Sequence, residues 1–427
     1  MAPNALQGSS TTIVLFRNSR EFVRELKLSK FIGIMQPSFQ EHKLLLAANV
    51  RRKHYTHVPF HEYAHYIIRS RLERPAPRWL EEGLAQYFST LKLLGTGQAS
   101  VGAVDRRRVL VSFLETKQNK WEDILDFDII HSDAEDLRVQ YDAAWALVHY
   151  LVHGIPATNE EHPFDRINAL LERANSGENA ISAYMSIAQM DEKALDNTLY
   201  DYLTVDQPEI RFAFDGAGVS VQENDCLDLV DRYMLLADSL AEFNVDRAHY
   251  ILARLNRLRP NNYAVLAALS EVTRSDAGLS KGYADQAYRL NPDVAETNVT
   301  KASALIRLCV ELQDSSCNTL LSDAQKLYRR ALQIDHLRVD AAFGLGILYL
   351  NEGRAGDAKN YLRVAHKHAP WSARVNFHLG ETYRQLGDYE KASIYMRIAK
   401  HWETDEKRLE GMRDILALVE KELAKEL

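Results

Sequence analysis

The sequence predicts a predominantly helical chain, with an α+β domain in its N-terminal half followed by an all-α superhelix of repeats. Up to about residue 215, short apolar runs that suit β-strands, such as Thr12–Phe16 and Lys43–Ala48, alternate with segments of helical periodicity. From about residue 228 the pattern is helical throughout and repeats itself every 34 residues. We therefore divide the chain into a domain over 11–215, repeats over 228–402 and a last helix over 404–427.

The composition excludes several classes of protein. The chain has 427 residues, of which 46% are hydrophobic and 26% charged, so it can bury a large core and is neither disordered nor collagen-like. Its formal net charge of -7 gives no overall attraction to phosphate, so no nucleic-acid partner is expected. No apolar run approaches the roughly 18 residues that a membrane span needs, so no transmembrane segment is expected.

The N-terminal half contains three prominent predicted helices. Phe60–Ser70 and Trp79–Leu91 are separated by a Pro-containing turn, because a proline cannot continue a helix. Gln140–His153 is a third helix and is strongly apolar. Glu209–Phe214 fits a last strand, and the Gly-containing stretch Asp215–Val219 fits a link to the repeats.

The repeats become visible when the chain is aligned with itself at a shift of 34 residues. Eight identical pairs appear: Phe343 and Phe377, Leu345 and Leu379, Gly346 and Gly380, Tyr349 and Tyr383, Gly353 and Gly387, Ala358 and Ala392, Tyr361 and Tyr395, Ala365 and Ala399. This period resembles the tetratricopeptide repeat, a pair of antiparallel helices with small residues where they cross. We count about five hairpins over 228–402 and interpret 404–427 as a capping helix. Such an array is either pure architecture or a groove for a protein partner or for the chain's own domain.

The three cysteines, Cys226, Cys309 and Cys317, are too few for a disulfide scaffold. Cys309 and Cys317 lie eight positions apart, a spacing compatible with a bridge in an oxidising compartment and with free thiols. We favour free thiols, and the pair does not decide the compartment.

Histidines are concentrated before and inside the first predicted helix of this half. Five of the 15 fall within 24 positions, and His61 and His65 belong to the motif HEYAH. Because residues four apart share one face of a helix, both imidazoles can bind one Zn²⁺. Glu62 stands beside them, where a carboxylate can accept a proton from a metal-bound water. We interpret the other three as neighbours of the motif: His42, His54 and His57.

A third ligand is expected on the next helix, because a catalytic zinc takes three protein ligands and keeps one position open for water. Glu82 lies 17 residues after His65 in the stretch WLEEGLAQY, and the Pro-containing turn lets this helix fold back on the first. Glu81 is the competing carboxylate.

These motifs resemble those of the gluzincin metallopeptidases, most closely the bacterial peptidase MA-like domain, over about Thr12–Leu203. The resemblance favours Glu82, because it directly precedes a glycine as in the family pattern. It implies a zincin-like metallopeptidase domain with one Zn²⁺ per chain. The implied zinc ligands are His61, His65 and Glu82, and the implied general base is Glu62.

The resemblance also implies a donor for the tetrahedral oxyanion besides the metal. In gluzincins related to aminopeptidase N a tyrosine fills this role, and Tyr141, 59 residues beyond Glu82, stands at a similar distance. We predict that Tyr141 is this donor; the alternative is a packed tyrosine near the start of a helix.

The chain departs from these relatives at two points. It has no G-x-M-E-N stretch to capture a free amine, so an endopeptidase is expected rather than an exopeptidase. Thermolysin-like enzymes often place an acidic residue four positions after the glutamate ligand, to orient a histidine. Gln86 holds that position here, and its carbonyl is a weaker, neutral acceptor for a histidine N–H.

The inferred function is therefore that of a zinc-dependent endopeptidase whose repeats recruit a protein or peptide substrate or a protein partner. The alternative is a repeat-based protein-binding scaffold with a catalytically inactive zinc-binding domain. Hydrolysis of a non-peptide bond uses the same activated water and is a third option. The first ten residues carry no export signal, which indicates the cytoplasm for a complete chain; a trimmed chain would favour a bacterial cell envelope or periplasm.

Overall fold

The structure of the chain is a computed structural model. It describes residues 10–28, 33–39, 41–48, 57–72, 75–95, 97–103, 106–116, 121, 125, 134–156, 162–176, 178–206, 208–213, 227–403 and 405–426. Within these ranges no helix has the length and apolarity that crossing a bilayer requires. Several predicted features lie outside the described residues: His54, Cys226, the link Asp215–Val219 and the two ends of the last helix, 404 and 427.

Two three-stranded sheets belong to the N-terminal half. Their strands are β1 (Ser10–Phe16), β2 (Gly33–Gln36), β3 (Glu41–Ala47), β4 (Lys92–Gly95), β5 (Gln98–Val101) and β6 (Ile210–Ala213). In the first sheet the central β3 runs parallel to β1 and antiparallel to β2, and the second sheet is antiparallel in the order β4-β5-β6. The sequence predicted β1, β3 and β6. It missed the other three strands, which are four residues long; β6 is equally short but was recognised as the stretch before the Gly-containing link.

Helices lie between these strands along the chain, and three of them correspond to the three helices predicted for this half. They are α1 (Ser19–Leu26), α2 (His57–Arg71), α3 (Arg78–Ser89), α4 (Arg106–Thr116), α5 (Ala134–His149), α6 (Asp165–Asn175), α7 (Ala180–Ala188) and α8 (Glu192–Thr204). Helix α5 continues into a π-helical turn, Tyr150–Gly154. Gly83 lets α3 approach α5 closely, because a Cβ at this position would lie 2.5 Å from the backbone oxygen of Ala144.

The C-terminal half consists of helices in antiparallel pairs. Over 227–403 the pairs are α9 (Leu229–Leu240) with α10 (Val245–Leu258), α11 (Tyr263–Val272) with α12 (Ala277–Leu290), α13 (Ala295–Leu312) with α14 (Cys317–Ile334), α15 (Val339–Asn351) with α16 (Ala355–His368) and α17 (Ala373–Gln385) with α18 (Tyr389–Trp402). Gly353 and Gly387 turn the last two pairs with φ of 75° and 77°, a left-handed conformation that favours glycine. Helix α19 (Glu406–Glu426) packs on α18 and buries Met412, Leu416 and Val419.

A disulfide connects the two helices of the third pair. Cys309, in the last turn of α13, is bonded to Cys317 at the start of α14, and their Cα atoms are 4.8 Å apart. The prediction of free thiols is therefore wrong. A separation of eight residues fixes no distance by itself; the reversal of the chain after Leu312 brings the two Cα atoms into the range that a disulfide needs.

The repeats pack against the first sheet and its helix. At one end of the array, α9, α10 and α11 share a buried cluster with Phe16, Phe22 and Leu45, and Asp238 forms an ion pair with the buried Lys43. Further along the array, two aromatic pairs cross the interface. They are Phe39 with Phe343, whose ring centroids are 5.7 Å apart, and His42 with Trp371, at 4.9 Å. The chain's own domain thus occupies part of the array's surface.

Candidate metal site

Two packed helices supply the candidate ligands. His61 and His65 lie one turn apart on α2, and Glu82 lies on α3, which packs against α2 after the chain reverses. Among the described residues, these three side chains form the group that could hold a metal ion. Their candidate ligand atoms all lie within 4.8 Å of one another. The i, i+4 spacing and the backward fold of α3 together produce this convergence.

The spacing of the three atoms fits zinc. The Nε2 atoms of His61 and His65 are 3.2 Å apart, and the Glu82 Oε2 atom lies 3.4 Å from the first and 3.2 Å from the second. Ligands about 2.0–2.1 Å from a tetrahedral zinc are separated by about 3.3–3.4 Å. One Zn²⁺ per chain therefore matches the donor set in type and in spacing.

The electrostatics of the cluster also calls for a cation. His65 places Nδ1 2.8 Å from the carboxylate of Glu81, so its Nδ1–H donates there and its Nε2 faces Glu82. The buried Oε2 of Glu82 faces the Nε2 atoms of both imidazoles. Burial alone would lower the pKa of His65, but the charge of Glu82 and hydrogen bonds to Glu81 and Glu82 raise it to about 10. Without a metal, the imidazole of His65 is therefore protonated at neutral pH, and its positive charge is paired with the carboxylates of Glu81 and Glu82.

Glu81 orients His65 from behind. Its Oε1 atom accepts from His65 and, at 2.7 Å, from the Nε of Arg69, and its side chain is only 4% exposed. Burial would raise the pKa of Glu81, but the charge of Arg69 and the contact with His65 lower it, so the carboxylate stays ionised. The sequence suggested the neutral Gln86 for this role, whereas Glu81, beside the third candidate ligand, fills it.

Glu62 faces the edge of the first sheet. Its Oε2 atom accepts the backbone N–H of Met35 in β2 at 3.0 Å. Strand β2 is an edge of the sheet, so this N–H is not needed by a neighbouring strand. Nothing in the sequence pointed to Met35, because a backbone donor 27 positions away leaves no side-chain pattern.

Tyr141 lies beside the first histidine. Its ring, near the middle of α5, is 5.9 Å from that of His61 and almost perpendicular to it. Burial raises the pKa of Tyr141 far above its usual range, and the charges of Glu82 and Glu62 raise it further. The hydroxyl therefore keeps its proton and remains a hydrogen-bond donor at neutral pH.

Another pair of histidines four residues apart, His149 and His153, lies away from α2, and its surroundings differ. His149 Nδ1 lies 2.8 Å from the hydroxyl of Tyr202, and its Nε2 lies 3.1 Å from the carbonyl oxygen of Pro208. His153 Nε2 lies 2.9 Å from the hydroxyl of Tyr87. These rings are thus paired with tyrosines and a carbonyl, as expected for core histidines. His57, interpreted from the sequence as a neighbour of the motif, begins α2 and is half-buried.

The buried His149 predicts a pH dependence of stability. Burial and the charge of His153 lower the pKa of His149 from 6.5 to about 3, so the folded state binds fewer protons than the unfolded state below pH 6.5. The contribution of the neutral His149 to the free energy of unfolding is fully present above pH 6.5 and is lost as the pH falls towards 3. Between pH 7 and pH 5 it should reduce the free energy of unfolding by about 2 kcal/mol.

Chemical unfolding at both pH values, on the wild type and on His149→Gln, measures this contribution. The variant should lose about 2 kcal/mol less than the wild type over the same interval. An identical loss in both proteins would exclude His149 as the cause.

Two family models match parts of the chain. Residues 56–167 match a family described as a protein of unknown function, DUF1570, and residues 349–413 match the tetratricopeptide repeat. No curated protein matches the chain significantly. The C-terminal array consists of tetratricopeptide repeats. Arrays of this kind bind protein partners, so the comparisons favour a protein-interaction role, and neither family description names a peptidase.

Several solved structures are similar to part of the chain. A tetratricopeptide repeat protein of Thermus thermophilus is 16% identical, over 44% of this chain and 98% of that one, with a TM-score of 0.38. The pilF protein of Pseudomonas aeruginosa is 18% identical, over 46% and 86%, with a TM-score of 0.37. YrrB, described as a tetratricopeptide repeat protein with an unusual peptide-binding site, is 20% identical, over 46% and 91%, with a TM-score of 0.30.

Proposed function

We propose that this protein is a zinc-dependent peptidase whose repeats bind a protein substrate or partner. The observation that carries the proposal is the convergence of three lone pairs from His61, His65 and Glu82 at the spacing of zinc ligands. A zinc ion bound there supplies Lewis acidity and lowers the pKa of a bound water. The N-terminal half is, on this proposal, a zincin-like domain.

The chain's own residues have distinct roles in this reaction. Glu62 accepts the proton of the attacking water and returns it to the leaving amine, and the N–H of Met35 fixes the orientation of its carboxylate. Tyr141 donates a hydrogen bond to the oxyanion, which its raised pKa permits at neutral pH. Cleavage inside a polypeptide is proposed, because no motif for the capture of a free amine occurs in the sequence.

A second candidate is a protein-binding scaffold whose zinc-binding domain does not catalyse. The tetratricopeptide repeats support this candidate directly, since they bind proteins whether or not the other half is an enzyme. Both candidates require the same bound metal and a protein ligand. They differ only in whether a peptide bond is broken.

Metal removal tests the proposal. The full chain should contain about one zinc per molecule and cleave casein or a peptide library, and mass spectrometry should find internal cuts. Chelation should abolish the cleavage, and one equivalent of zinc should restore it. A protein that holds one zinc yet cleaves nothing would favour the scaffold, and a protein that binds no zinc would contradict both candidates.

A further inference from the structure

The end of the last repeat hairpin contacts both of the helices that carry the candidate ligands. On α2, the guanidinium carbon of Arg69 lies 4.7 Å above the ring of Trp402, the last residue of α18. On α3, Arg78 donates a hydrogen bond at 3.0 Å to the carbonyl oxygen of His401. A cation at the C-terminal end of a helix is favourable, because unpaired carbonyls are exposed there.

A short series of contacts leads from this hairpin to the metal site. Trp402 packs on Arg69, and Arg69 donates to the Oε1 atom of Glu81 at 2.7 Å. The same oxygen accepts from Nδ1 of His65 at 2.8 Å. Glu81 and His65 are 4% and 7% exposed, so water competes little for these bonds. Three contacts thus separate the array from a candidate zinc ligand.

Each contact restricts the next one. A free arginine side chain samples many rotamers, and stacking on an indole confines its planar guanidinium to one region. The confined guanidinium stays on Glu81, whose carboxylate then holds the imidazole of His65 in one tautomer and one orientation. Without the indole, Arg69, which is 25% exposed even when stacked, is free to leave the carboxylate for water.

We propose that Trp402 and Arg69 are positioning residues for the metal site, so that the last repeat hairpin fixes the orientation of a zinc ligand. This inference rests on the proposed zinc site. On this inference the docked array helps to hold the metal site in its geometry. A protein partner that displaces the end of α18 lowers the zinc affinity of the site. The array is then a means by which partner binding reaches the proposed active site.

Zinc affinity of the full chain, measured by competition with a chelator, tests the inference. Direct partners of a metal-bound histidine typically contribute about 10–100-fold to affinity, and Trp402 acts one contact further away. Trp402→Ala should therefore weaken zinc binding about three- to tenfold, whereas Trp402→Phe keeps an aromatic face and should stay within about twofold of the wild type. Phe39→Ala is the control, because Phe39 lies at the same interface but packs on Phe343.

A double variant identifies the route. If the effect passes through Glu81, Trp402→Ala should weaken zinc binding much less in a Glu81→Gln background than in the wild type. Unchanged affinity in Trp402→Ala, equal weakening in Phe39→Ala, or full additivity with Glu81→Gln would each overturn the inference. Should Trp402→Ala fail to fold, Arg69→Gln interrupts the same series at the next residue. A wild type that binds no zinc overturns the proposed function instead.

Discussion

Replacement of Glu62 by glutamine is expected to abolish most of the peptide hydrolysis while leaving zinc bound. Glutamine keeps an oxygen that accepts the N–H of Met35, so the side chain remains in place. It cannot accept the water's proton, and general-base catalysis contributes about 10²–10⁴-fold to such reactions. The turnover of a peptide substrate should fall by that factor, with zinc content still near one per chain.

The matched control is Glu172→Gln, the same chemical change on α6, away from the candidate ligands. Its activity and its zinc content should equal those of the wild type. If Glu62→Gln were to cleave as fast as this control, Glu62 would not be the base. The water would then need another acceptor.

Replacement of His65 by alanine is expected to remove zinc from the chain. Zinc held by four ligands gains about 10–16 kcal/mol, so one ligand accounts for roughly 3–4 kcal/mol, or about 10²–10³-fold in affinity. The zinc affinity of His65→Ala should fall by this factor, whereas replacement of a surface histidine should leave the affinity unchanged. The substitution also leaves Glu81 and Arg69 without the imidazole they support. Metal analysis after dialysis measures the stoichiometry, and chelator competition measures the affinity.

His153→Ala is a matched control, since it removes a histidine from another pair spaced by four residues. His153 lies against the hydroxyl of Tyr87, and the candidate metal group among the described residues does not include it. Its zinc content should equal that of the wild type. Equal zinc loss in both variants would point to general unfolding rather than to a lost ligand.

Local spacing in the sequence indicated the two histidines of the site, and the resemblance to the gluzincins added Glu82; the structure brings these three residues together. His61 and His65 share a helical face by spacing alone, and the competition between Glu81 and Glu82 concerned two neighbours of which one had to face the histidines. The structure turns Glu82 to the cluster and Glu81 to the back of His65. Helix rotation decides this division of roles, and rotation depends on packing that no local pattern shows.

The fold was predictable where the pattern is long or periodic, and not elsewhere. The shift of 34 residues indicated the hairpins, and glycines in two turns and buried alanines at the crossings carry it. The contact between Phe39 and Phe343 joins residues about 300 positions apart, so nothing local marks either partner. The support of Glu81 by Arg69 and Trp402 depends on the same kind of long-range docking.

The shared cluster between the first sheet and α9–α11 bears on how the chain is made. The N-terminal half leaves the ribosome first, and synthesis of the next 59 residues, to the end of α11, takes roughly 3–12 s at 5–20 residues per second. During this interval Phe16, Phe22 and Leu45 lack the helices that cover them in the finished protein. A chain cut after β6 keeps this apolar face uncovered permanently. The half that carries the candidate ligands therefore has its first sheet fully covered only when α9–α11 are present.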